Sequence, residues 1–317
     1  MRILLLPLFV VLLCSVCLAQ RNPTMTSQLD DTDREQLYAR FSENRKVPVA
    51  ERQKLAYEAA RDYVKRYSGE QDSHLAEMRR FVKEYERVMG NYEVHEAFAA
   101  GKYAKAFELG RVALQKNPEN FYVLATLTQA GYVNSLKGDP SLVEGSIDAA
   151  KRALAIVESE KFTEADPFAN VADARGFLNF ALGTFELSLA PANAAAALVS
   201  AAKSESSYKD NPLTYNLLGI AILKGEYTQV SAEYNTKFGG KPPSPEQEAM
   251  YKRIVQLGER AIDAYARAIA LSTKPNQQES RTKMLTQLTQ LYKNFHNGSD
   301  AGLDELIAGV LSKPLPE

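Results

Sequence analysis

Apolar residues between Gly101 and Asn120 recur at the spacing of one face of an α-helix. This stripe consists of Tyr103, Ala106, Phe107, Gly110, Ala113 and Leu114. Ala106 and Ala113 are small and lie two helical turns apart, so another helix can approach closely there. The residue before a proline avoids the α region, and the helix is therefore predicted to end at Asn117-Pro118. The pattern is typical of the second helix of a helical hairpin.

The helical period continues along most of the chain from Asp31 onward, and no segment alternates as a half-buried strand does. Helices are predicted at 32–44, 47–67, 73–89, 94–100, 101–118, 122–136, 141–158, 172–189, 192–204, 211–224, 244–271, 277–295 and 301–311. Gly90 is predicted to end the third of these helices. Segment 227–245 departs from the rhythm, and Ser244 followed by Pro245 predicts a helix start.

One amphipathic hairpin cannot bury its apolar stripe alone, so neighbouring hairpins are expected to stack. Small residues, among them Gly183 and Gly219, are predicted to let the helix axes approach. The last helix, 301–311, is predicted to cap the end of the array.

Two segments resemble the tetratricopeptide repeat, a 34-residue helix–turn–helix unit. The residues that match are Gly101, Tyr103, Ala106, Ala113, Leu114 and Pro118 in one segment, and Tyr215, Leu218, Gly219 and Ile222 in the other. The resemblance implies an all-α fold, a right-handed α-solenoid of stacked antiparallel helix hairpins. It assigns a helical domain to residues 31–317, with the clearest repeats in 87–158 and 172–271. The array is irregular, because the matching positions Ala106 and Ser146 lie 40 residues apart.

The resemblance also implies a concave groove lined by the first helices of successive hairpins. The family's groove positions fall on Asn91, His95, Tyr122, Ala125, Gln129, Tyr132 and Asn216. Tyrosine offers contact area and an amide can bond an extended backbone, so these residues suit a peptide partner. Relatives that hold a terminal carboxylate use Lys and Asn where this chain has Asn91 and His95, so that ligand is not predicted.

The N-terminus has the features of a signal peptide, residues 1–19. Arg2 precedes an apolar run, and small residues Cys17 and Ala19 stand before the predicted cleavage site. The apolar run, 3–18, has 16 residues, whereas a bilayer span needs about 20, so cleavage after Ala19 is favoured over a retained membrane anchor. The mature protein is then expected in the periplasm or outside the cell, with no stable membrane span. Polar residues 20–30 are predicted to be a flexible tether.

Composition and spacing argue against several kinds of chemistry. A formal net charge of −1 at pH 7 gives no basic excess for nucleic-acid binding. The three histidines form no His-Glu-x-x-His or other short metal-ligand spacing, so neither a metal nor another cofactor is expected. Both cysteines, Cys14 and Cys17, lie in the predicted signal peptide, which leaves no thiol for catalysis.

These observations predict a non-enzymatic protein–protein interaction scaffold of the cell envelope or periplasm that binds a polypeptide segment in its groove. Two alternatives remain open at this point. One is a structural or assembly subunit of an envelope complex. The other is a helical-repeat protein that binds a small ligand or is catalytic, which would need a deep pocket with convergent titratable groups.

Overall fold

The computed structural model describes residues 23–69, 72–159, 162 and 165–316, and the predicted signal peptide lies outside them. The described residues form an all-α fold without strands. The α-helices are α1 (Pro23–Asn44), α2 (Ala50–Tyr67), α3 (Leu75–Ala99), α4 (Tyr103–Lys116), α5 (Phe121–Leu136), α6 (Val143–Val157), α7 (Val171–Glu186), α8 (Pro191–Ala202), α9 (Pro212–Ile222), α10 (Thr228–Phe238), α11 (Pro245–Leu271), α12 (Gln278–Phe295) and α13 (Leu303–Gly309). A π-helical segment, Leu223–Tyr227, follows α9, and short 3-10 turns occupy Ser207–Asp210, Pro275–Gln277 and Val310–Ser312.

Side chains at the helix starts explain several of these boundaries. The side-chain carbonyls of Asn120, Asn170 and Asn211 accept hydrogen bonds from backbone N–H groups in the first turns of α5, α7 and α9, at 3.3, 2.9 and 3.0 Å. Such caps satisfy backbone donors that have no partner within the helix. The predicted start at Ser244 is confirmed, since the Ser244 hydroxyl accepts from the Gln247 N–H at 3.2 Å and Pro245 is the first residue of α11.

The chain divides into two compact units, and the division falls between Glu86 and Arg87, within α3. In the first unit α1 packs against α2. The buried core of this unit consists of Phe41, Ala56, Ala59, Ala60, Tyr63, Tyr67, Leu75 and Met78.

In the second unit, consecutive helices pack against each other. Each helix from α4 to α8 contacts the next one, α9 packs against α11, and α11 packs against α12. Alternate helices also meet, because α5 contacts α7 and α7 contacts α9. These three helices therefore form a row, which is called the α5–α7–α9 row below. The prediction of an all-α fold with packed adjacent helices is confirmed.

A glycine in each helix of this row allows close approach of a following helix. Gly131 faces Ser146 of α6, Gly183 faces Leu198 of α8, and Gly219 faces Tyr265 of α11. A Cβ at Gly183 would lie 2.6 Å from Leu198 Cγ, and one at Gly219 would lie 2.8 Å from Tyr265 Cε2. Real carbon atoms do not approach so closely, so these contacts confirm the close-approach role predicted for Gly183 and Gly219.

Two predicted helix boundaries are wrong. Gly90 does not end a helix, because α3 continues through it to Ala99. Gly90 lies opposite Ala113 of α4, where an added Cβ would be 3.3 Å from the Ala113 Cβ. The glycine therefore allows the two helices to pack closely and does not end α3. Near the N-terminus, α1 begins at Pro23, whereas this helix was predicted to begin at Thr32.

Segment 227–245 contains a helix that was not predicted from the sequence pattern. α10 occupies Thr228–Phe238 and packs against α11, and only the residues from Gly239 to Ser244 form a loop. Within the preceding π-helical segment, Gly225 has φ −90° and ψ −112°, which breaks the helical geometry. An added Cβ at Gly225 would lie 2.9 Å from the Ala192 backbone nitrogen of α8, so the kink lies where two backbones approach closely.

Candidate partner-binding groove

The predicted groove residues near the start of α5 lie together. Asn91 of α3 accepts a hydrogen bond from the Asn120 side-chain amide at 2.8 Å, while the carbonyl of Asn120 caps α5. His95 is exposed, and its Nδ1 is 2.8 Å from the Tyr122 hydroxyl. Burial raises the pKa of Tyr122, and the nearby Asp166 carboxylate raises it further. These two pairs join α3 to α5 and present an imidazole and a phenol at the surface.

An aromatic cluster occupies the next part of the α5–α7–α9 row. Tyr132 makes edge contacts with Phe177 and Phe180 of α7, with ring centroids 5.9 and 5.7 Å apart. Tyr208 packs on Phe180 at 5.0 Å, and Phe168 packs on Phe177 at 5.4 Å. Tyr132 is half-buried, and much of its ring is thus used inside the molecule.

The rings that complete this cluster come from connections between helices. Phe168 belongs to the connection before α7, and Tyr208 belongs to the 3-10 turn Ser207–Asp210 before α9. Burial raises the pKa of Tyr208 to about 12, with further contributions from the neighbouring Tyr132 and Asp173. Helical periodicity does not register isolated aromatic residues in loops, so these two rings could not be predicted from it. The sequence marks these two residues only as large aromatic rings in otherwise polar connections.

The connection before α9 also covers part of α7. Ser204 and Ser206 are buried, and their hydroxyls lie 2.7 Å apart. Both face Gly176, where an added Cβ would overlap the Ser206 hydroxyl and lie 2.9 Å from the Ser204 hydroxyl. The chain itself therefore fills the space beside this turn of α7.

The remaining groove positions, Ala125, Gln129 and Asn216, differ in their burial. Ala125 is fully buried in the core, so its expected place in the groove lining is wrong; the small side chain packs inward between helices. Gln129 and Asn216 are half-buried. The Asn216 side-chain oxygen is enclosed and has no hydrogen-bond partner among the described residues.

A cleft of about 860 Å³ opens beyond the end of α9, between the π-helical segment, α11 and α12. It is lined by Leu223, Tyr265, Leu285, Thr286, Gln287, Thr289, Gln290, Leu291, Lys293 and Asn294. Asn216, Ile220 and Leu223 are spaced i, i+4 and i+7, so one face of α9 leads from Asn216 to this cleft. Among the predicted groove residues, Asn216 therefore lies on the helix face that leads to the cleft.

The cleft wall combines apolar and amide side chains and carries little free charge. Gln290 donates to the Asn294 side-chain oxygen at 3.1 Å, and both residues are exposed. Lys293, which also lines the cleft, is paired with Asp300 at 2.8 Å. An amide pair of this kind offers both a donor and an acceptor to a ligand.

Comparison of the chain with protein-family models, curated proteins and solved structures found no match in any of the three. Among the described residues, no group of three or more His, Cys, Asp or Glu side chains is arranged to hold a metal ion. In the same part of the chain, no helix has the length and apolar character required to cross a bilayer.

Proposed function

We propose that the protein is a non-enzymatic interaction scaffold whose second unit is a tetratricopeptide-like α-solenoid that binds a polypeptide segment. The observation that supports this most directly is the α5–α7–α9 row, in which alternate helices lie side by side and begin with the same asparagine cap. Stacked hairpins of this kind form extended concave surfaces, and such surfaces are well suited to binding other protein chains.

The chemistry of the cleft beyond α9 favours an extended polypeptide as the ligand. Leu223, Leu285 and Leu291 offer an apolar floor for a side chain. Gln290 and Asn294 offer amide groups for backbone N–H and C=O groups, which every polypeptide carries. Since Lys293 is already paired with Asp300, the wall fits a segment without a strong charge of its own.

Photo-crosslinking from the cleft tests this function. A photoreactive phenylalanine derivative replaces Gln290 in the cleft, and the same residue replaces Gln115, an exposed position on α4, as the control. In cells that contain the natural partner, we expect light-dependent crosslinks to a protein from position 290 and not from position 115. The double substitution Leu285→Ser with Asn294→Ala should abolish them in an otherwise folded chain. Equal crosslinking at both positions, or none at 290, would contradict the proposal.

We further propose that the chain is exported to the periplasm or the cell exterior and cleaved after Ala19. The supporting observation is the sequence pattern of residues 1–19. The protein recovered for the crosslinking experiment provides the test: its N-terminal residue should be Gln20, whereas a retained Arg2 would favour the membrane-anchor alternative.

A further inference from the structure

The C-terminal segment after the last 3-10 turn, residues 313–316, lies against α11 without helical structure. Lys313 is extended, with φ −102° and ψ 149°. The Arg267 side chain of α11 donates from Nη2 to the Lys313 carbonyl at 2.9 Å and to the Pro314 carbonyl at 2.8 Å. Two consecutive carbonyls of an extended segment are therefore held by one guanidinium group.

Arg267 belongs to a built and buried site. It is only 5% exposed, and its Nε donates to the Asp263 carboxylate at 2.6 Å. Asp263 lies four residues earlier on α11 and satisfies only part of the five donors of a guanidinium group. A buried charged group needs its remaining donors satisfied, so the site requires carbonyl acceptors from outside the helix.

One side chain completes the contact. Leu315 is half-buried and packs against the two apolar clusters that contain Tyr215 and Leu218 of α9. Lys313 and Pro314 are exposed, and Pro314 has no backbone N–H to satisfy. Backbone carbonyls occur in every polypeptide, so Leu315 supplies the part of this contact that depends on sequence.

We propose that the surface around Arg267 and Asp263 is a second polypeptide-binding site, which the chain's own residues 313–316 fill. Its ligand class is an extended segment with a leucine between two prolines, supplied in cis by the tail and in trans by another polypeptide when the tail is released. Arg267, Asp263 and residues 313–316 are not among the residues that line the cleft beyond α9, and the proposal does not depend on the function proposed for that cleft.

A labelled synthetic peptide with the sequence of residues 310–317 tests the proposal by fluorescence anisotropy. In the parent chain the tail competes at the high effective concentration of a tethered segment, so the peptide should bind weakly. The Leu315→Ser variant loosens the tail, and we expect it to bind the peptide at least about tenfold more tightly than the parent. The matched control is Leu311→Ser, which changes an exposed leucine four residues away and should bind as the parent does.

The site itself is tested by adding Arg267→Gln and Asp263→Asn to the Leu315→Ser chain. The pair of changes avoids leaving a buried carboxylate without its partner, and it should remove peptide binding while helical content is retained. A Leu315→Ser chain that binds no better than the parent, or binding that survives loss of Arg267, would overturn the proposal.

Hydrogen exchange of the parent chain tests the proposal without any substitution. Saturating, isotopically heavy peptide should increase deuterium uptake in the chain's own segment 310–317, because the peptide displaces the tail. Uptake that is unchanged at saturation would overturn the proposal equally.

Discussion

Tyr208 shows how a loop residue becomes part of the protein interior. Burial against Phe177 and Phe180 raises the pKa of its phenol to about 12, above the value of about 10 for an unfolded chain. The folded state therefore holds this proton more tightly than the unfolded state does. Its contribution to stability is fully present below about pH 10 and is lost as the pH rises through about 12.

We expect the Tyr208→Phe variant to lose less stability than the parent between about pH 9 and pH 11, because the ring contacts remain and the titrating group is gone. Urea-unfolding midpoints at the two pH values measure the difference. Tyr251→Phe removes a phenol that is 55% exposed and serves as the control. An identical pH dependence in parent and Tyr208→Phe would show that the phenol of Tyr208 is not held in a desolvated site.

At the residue scale, the proximity of residues on neighbouring helices could be predicted from the sequence, but their contacts with loop residues could not. Asn91, His95 and Tyr122 do lie together, since their helices are neighbours. Tyr132 lies within an aromatic cluster instead, because Tyr208 and Phe168 come from connections with no periodic signal. Contacts of this kind depend on loop paths, which a local pattern does not specify.

At the scale of the helices, the close approach of α5 and α6 depends on Gly131. An added Cβ would overlap the Ser146 hydroxyl, which donates a hydrogen bond to the Leu142 carbonyl at 2.7 Å. Rotation of that hydroxyl gives no relief, because the Ser146 Cβ would still be 2.6 Å away. The two helices must therefore separate to accept any side chain at this position.

Gly131→Ala should lower the free energy of unfolding by about 1–3 kcal/mol, the usual cost of overpacking, although alanine is the better helix former. Denaturant titration measures the change. Gly309→Ala is the matched control, because its Cβ would meet nothing within 4 Å at the end of α13. A Gly131→Ala variant as stable as the parent would mean that the α5–α6 contact adjusts without cost.

The positions of the helices could be predicted from hydrophobic periodicity. The ends of the helices could be predicted only where a local sequence signal was unambiguous. The start of α11 was predicted because serine and proline both act within the first turn. The continuation of α3 through Gly90 was not predictable, because the reason lies in Ala113 of another helix. The π-helical segment Leu223–Tyr227 was missed for a similar reason, since the close contact of Gly225 with the α8 backbone is tertiary.

At the scale of the whole molecule, the two units have separate buried clusters. The cluster of the first unit draws on α1, α2 and the first turns of α3, while Leu198 belongs to a cluster formed by α7, α8, α9 and α11. Stability need not be uniform in such a chain, because a region can open when its own cluster is weakened. The order of helices could be predicted from sequence, but this division could not, since α3 continues across it without a break.

Two matched large-to-small substitutions test whether the clusters open separately. Met78 and Leu198 are both 0% exposed, and replacing either by alanine should cost about 2–5 kcal/mol through lost contacts and a cavity. Hydrogen exchange followed by mass spectrometry should show faster exchange in α1 and α2 for Met78→Ala, and in α7 and α8 for Leu198→Ala. Each variant serves as the control for the other. If both substitutions accelerate exchange equally across all these helices, the two clusters open as one cooperative unit and not separately.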